Sequence, residues 1–69
     1  MSSKEATDAL VGVCYLLVRL QNGYDKDSLE RICQFVSENR SHCNTVKALY
    51  KAMTGFDEAT CRELDTILA

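Results

Sequence analysis

Ala9-Leu10-Val11-Gly12-Val13-Cys14-Tyr15-Leu16-Leu17-Val18-Arg19-Leu20 is the stretch that decides the fold. It is long enough for three turns of helix, and Arg19 is its only charge. A helix that is apolar on nearly every side has to be covered on nearly every side. The whole chain has only 69 residues. A domain near this size buries roughly 60% of the surface that its unfolded chain exposes, so its stability is marginal. Such a helix in such a chain points to an interaction module, completed by self-association or by a larger partner, and away from an enzyme.

The residues on either side divide into three further helices. Helix 1 is expected over about 5–21. Ser2 and Glu5 are spaced as a capping box, with Thr7 as a second candidate cap. Ala6, Leu10, Val13, Leu17 and Leu20 recur at helical spacing, and Val11, Cys14, Tyr15 and Val18 form a second stripe, read here as lying beside the first. Gln21-Asn22-Gly23 stops the helix, with Gly23 placed for a left-handed C′ position. Helix 2, about 26–37, is capped by Asp25, with Tyr24 and Leu29 spaced as a hydrophobic staple. Its stripe is Leu29, Ile32, Cys33 and Val36, with Phe35 off the centre. The polar segment 37–44 reads as a loop. Helix 3, about 44–54, carries Val46, Leu49, Tyr50 and Met53. Gly55-Phe56-Asp57 then repeats the Gly23-Tyr24-Asp25 step, and helix 4, about 58–68, turns Cys61, Leu64, Ile67 and Leu68 inward. With no proline and few glycines, this is an all-α chain: a single domain over 1–69, a small bundle of three to four short helices, with helix 1 central and apolar on two faces.

Charge and chemistry narrow the function further. Net charge is -2, and the basic residues are scattered among acidic ones instead of forming the stripe that a nucleic-acid binder shows. A helix-turn-helix arrangement of helices 2 and 3 would present Lys47 and Lys51 with no arginine- or amide-rich reading face. The apolar run is shorter than a membrane span, and the acidic Glu5 and Asp8 before it are the wrong flank for a signal peptide, so an intracellular protein is expected. Cys14, Cys33, Cys43 and Cys61 contain no C-x-x-C, and three of them fall on apolar stripes, the pattern of free thiols used as small hydrophobes. His42 and Cys43 are adjacent and cannot supply the spaced ligands of a zinc site, so no metal or other cofactor is expected. A Cys–His nucleophile would need a cleft that so small a chain has little room for. Asn39-Arg40-Ser41 matches a glycosylation sequon, read as chance where no secretory signal accompanies it.

The segment Asn22-Gly23-Tyr24-Asp25-Lys26-Asp27-Ser28-Leu29 resembles the N-x-G-L-D-x-E-T-L signature of the Mozart family, the mitotic-spindle organizing microproteins. Gly23, Asp25 and Leu29 match it, with Ser28 for threonine, Asp27 for glutamate and Tyr24 for leucine. Val46-Lys47-Ala48-Leu49-Tyr50-Lys51-Ala52 is similar to the family's I-K-E-L-R-K-A, and Glu5-Ala6-Thr7-Asp8 to the acidic start of its first helix. The family's G-I-N-P-E-A-L step is absent, helix 1 is about one turn longer, and helix 4 has no clear counterpart. The resemblance implies a non-enzymatic adaptor that co-folds with N-terminal helices of γ-tubulin complex proteins and supports microtubule nucleation and spindle organisation. It also implies a place at the centrosome, another microtubule-organizing centre or the spindle pole. In that reading Val11, Tyr15, Val18, Phe35 and Tyr50 face the partner, and Gly23, Asp25 and Leu29 serve as stop, cap and staple. The alternatives are a small homodimeric helical regulator or inhibitor and, behind it, a helical DNA-binding domain.

Overall fold

In the computed structural model, residues 3–69 are described, and they form four α-helices and one 3-10 turn. The helices are α1 (Ser3–Gln21), α2 (Lys26–Glu38), α3 (Cys43–Ala52) and α4 (Glu58–Ile67), with the 3-10 turn at Arg40–His42. No strand occurs among the described residues. Met1 and Ser2, and the side chains of Ser3 and Ala6, lie outside the described structure. The capping-box reading of Ser2 and the place of Ala6 in the first stripe lie there too. Thr7 sits inside α1 and does not cap it.

The core is drawn from all four helices at the spacing that the sequence dictates. Val13, Leu17 and Leu20 of α1 meet Leu29, Ile32 and Val36 of α2, Val46 and Tyr50 of α3, and Leu64 and Leu68 at the end of the chain. α1 packs against α2 and α3, and α2 carries α4. The aromatic of the Gly-Phe-Asp step closes the lower end: Phe56 lies edge-on to Tyr50, ring centroids 5.3 Å apart. Tyr50 Oη donates to the Cys61 carbonyl at 3.5 Å, and Lys51 pairs with Asp65 at 3.5 Å, so α3 and α4 are tied by polar contacts as well.

Helix ends depart from the sequence reading where side chains reach the backbone. α2 runs on to Glu38, and the expected loop over 37–44 shrinks to one residue and a turn of 3-10 helix. Asn39 sets that boundary, because both its backbone N–H and its Nδ2 donate to the Phe35 carbonyl, at 2.9 and 3.0 Å. α3 ends at Ala52 instead of 54. Met53 is already extended, and Gln21 Nε2 donates to the Thr54 carbonyl at 2.6 Å, which pins this connection to the end of α1. Gly23 and Gly55 take φ of +149° and +92°. Both are accessible to glycine at little cost, although Gly23 is more extended than a left-handed helical residue.

The two aspartates stand at their helix starts but act differently. Asp57 accepts from the Thr60 backbone N–H at 2.7 Å, an ordinary N-cap. Asp25 accepts instead from Ser28 Oγ at 2.6 Å and pairs with Arg19 at 3.3 Å. That bond satisfies a hydroxyl which the packing of α2 buries. The Ser28 hydroxyl first, and Arg19 after it, hold the Asp25 carboxyl below the ordinary aspartate value of 3.8; Thr60 does the same for Asp57. Carboxyls that bind protons less tightly when folded contribute stability above their unfolded pKa and lose it as pH falls through the folded value. Urea midpoints are therefore expected to hold between pH 7 and 5 and to fall towards pH 3, with a smaller fall in an Asp25→Asn/Asp57→Asn variant. Equal acid sensitivity of the two proteins would show that these carboxylates are not the cause.

Thr60 is fully buried, and its Oγ1 has no hydrogen-bond partner. A buried hydroxyl without a partner costs free energy that an isosteric methyl does not. Thr60→Val is expected to raise thermal stability, by up to about 1 kcal/mol. A lower melting temperature in that variant would contradict the burial.

Candidate protein-interaction surface

Helical geometry places the second stripe of α1 where the rest of the chain cannot reach it. At about 100° per residue, Val11, Tyr15 and Val18 fall within roughly 60° of one another. The core-facing row of Val13, Leu17 and Leu20 lies roughly 160° away. The two stripes are therefore on opposite faces of the helix, not side by side. The burial pattern follows: Leu17 and Leu20 are 0% exposed, Val11 64%, Tyr15 62% and Val18 47%. Cys14, at the edge of the outer row, is half-buried.

A shallow groove runs beside this row, between α1 and α2. Gly12, Tyr15, Leu16 and Arg19 line one wall and Asp27, Arg31 and Phe35 the other, around a volume of about 380 Å³. Phe35 is half-buried there, its ring stacked on His42 with centroids 6.3 Å apart. Arg31 Nε donates to Asp27 at 2.9 Å, and the Arg19 guanidinium lies 6.0 Å from the Tyr15 ring centroid, so the rim is charged and the floor apolar.

The structure thus brings Val11, Tyr15 and Val18 onto one exposed face and sets Phe35 across the groove from Tyr15. Tyr50 is not part of this surface. It is 6% exposed, in the core, because α3 turns it towards Phe56 and Cys61. Burial first, then the neighbouring Cys61 and Asp65 side chains, push its phenol above the ordinary tyrosine range. Gly23 has a positive φ but a more extended one than the left-handed C′ position read for it, Asp25 stands at the start of α2 without a side-chain bond to its backbone, and Leu29 is buried. Tyr24, its supposed staple partner, stays 53% exposed at the rim of a second cleft that Leu29 also lines. Cys33, assigned to the stripe of α2, is exposed and lines the same cleft, with Glu63 and Ile67 of α4 on its other wall.

Gly12, Leu16 and Arg19 are the surface residues that the stripe reading passed over. The signal for Gly12 is its place in the middle of a helix, where glycine costs about 1 kcal/mol relative to alanine. A Cβ built there meets nothing within 4 Å, so packing within the chain does not require the glycine.

Among the described residues, no group of three or more His, Cys, Asp or Glu side chains is placed to hold a metal ion. His42 is engaged with Phe35, Cys43 Sγ points to the Leu68 carbonyl at 4.0 Å, and all four cysteines are free thiols. No helix among the described residues is long and apolar enough to cross a membrane.

Compared with protein-family models, curated proteins and solved structures, the chain has no significant match.

Proposed function

We propose that this chain is a non-enzymatic helical adaptor that docks α1, outer face first, onto helices of a larger protein. The observation that carries the reading is the exposed row Val11, Tyr15 and Val18, set opposite a core that the chain completes without it. Apolar residues at i, i+4 and i+7 beside an interhelical groove suit helix-in-groove recognition. The resemblance at 22–29 and 46–52 supports a particular partner: N-terminal helices of γ-tubulin complex proteins, with a role in microtubule nucleation at a microtubule-organizing centre or spindle pole. The choice of that partner rests on the resemblance; the choice of a helical partner rests on the geometry.

Docking of this kind stabilises a small domain by mass action, by about 2.7 kcal/mol when the partner is present at 100 times its Kd. Co-expression with the N-terminal helical segment of a γ-tubulin complex protein is expected to yield a co-eluting complex that melts well above the free chain. Separate elution of the two, with the melting temperature of the chain unchanged, would refute the proposed partner.

A further inference from the structure

The outer face of α1 is also complementary to itself. Asp8, Val11, Tyr15 and Val18 recur at alternating spacings of three and four, the period of a coiled-coil seam. Glu5 in the first turn and Arg19 in the last each stand seven residues from Gly12. All three lie on the same flank of the seam at about 100° per residue. An antiparallel copy of α1, related by a twofold axis level with Val13, therefore meets its own pattern. Val11 then lies level with Tyr15 of the other copy and Asp8 with Val18, while Arg19 of each copy comes within roughly 3 Å, along the helix axis, of the level of Glu5 of the other.

We infer that, without a partner helix, two copies of this chain pair through α1 in this antiparallel arrangement. Charge selects the orientation. A parallel pair would set Glu5 against Glu5, Asp8 against Asp8 and Arg19 against Arg19, whereas the antiparallel pair opposes unlike charges and unlike ends of the helix dipole. Arg19 has donors for this role. It pairs with Asp25 at 3.3 Å but remains 54% exposed, and a guanidinium carries five N–H groups.

The test is sedimentation equilibrium of the purified chain, each variant being checked for helicity by circular dichroism. The wild type is expected to populate a discrete species of twice the 7.7 kDa chain mass. Tyr15→Glu is expected to leave only monomer. Two charge contacts form per dimer, so Arg19→Glu and Glu5→Arg are each expected to weaken the dimer by roughly tenfold, and the Glu5→Arg/Arg19→Glu pair to recover most of that loss. A wild type that stays monomeric throughout the concentration range overturns the inference, as does a dimer indifferent to Tyr15→Glu. Failure of the charge-swapped pair to recover, while both single variants remain helical, overturns the antiparallel register. No other protein is present in this measurement, so its outcome is independent of whether γ-tubulin complex helices bind.

Discussion

Leu17→Glu is expected to unfold the chain. Leu17 is fully buried, packed where α1 meets α2 and α3. A carboxylate there loses the leucine's transfer free energy and must either remain charged without a partner or take up a proton. Truncation of a buried leucine to alanine alone costs roughly 2–5 kcal/mol. A chain of this length has a total stability of roughly 3–10 kcal/mol. The substitution therefore removes most or all of the margin. Far-ultraviolet circular dichroism should show loss of helix at room temperature, with no cooperative melt. A variant that keeps its helicity and melts cooperatively near the wild-type temperature would mean that Leu17 is not in the core.

Tyr15→Glu, two residues earlier, is expected to do the reverse. Tyr15 is 62% exposed on the outer face, and glutamate is a good helix former, so helicity and melting temperature of the isolated monomer should change little. Association should be lost. A carboxylate in the middle of an apolar contact is desolvated without compensation, and truncation of an aromatic anchor alone commonly weakens an interface by 2 kcal/mol or more. Binding to the partner helices is expected to fall by at least roughly 100-fold. Together the two variants separate folding from association on a single helix, and they differ only in which side of it they alter. Unfolding by Tyr15→Glu, or unchanged binding, would contradict the assignment of the outer face.

Much of this was legible in the sequence, and the reasons are local. Glycine followed by an aromatic and an aspartate marked two helix junctions, because a positive-φ residue and a cap are needed at the same kind of place. The buried Val13, Leu17 and Leu20 of α1, Val46 of α3 and Leu64 and Leu68 follow from spacing, since a helix has only one side to turn inward in so small a bundle, whereas the fully buried Thr60 of α4 does not, because its residue type reads as polar. Residues at the edges of those rows were not legible. Cys33 and Phe35 are about equally far from the centre of the α2 stripe, and which of them is covered depends on the side from which α1 approaches. Tyr50 could equally have pointed outward from α3; the edge-on contact with Phe56, beyond the Gly55 turn, sends it into the core. The opposition of the two α1 stripes needed only the angle per residue. Reading them as neighbours understated how isolated Val11, Tyr15 and Val18 are.

That isolation bears on how a marginal domain is used. The core is complete without the outer row, so the row is held on a preformed helix instead of being ordered at the moment of binding. Preorganisation of this kind lowers the entropic cost of association. A bundle with so small a core also gains appreciably from any partner that binds only the folded state. The same face can then serve a second copy of the chain or a larger helical protein, but not both at once.

Affinity capture from a cell extract, with wild-type and Tyr15→Glu chains as parallel baits and quantitative mass spectrometry as the readout, tests the central claim most directly. γ-Tubulin complex components are expected to be enriched on the wild-type chain and lost from the folded variant. Absence of those components from both, or their equal capture by both, would contradict it.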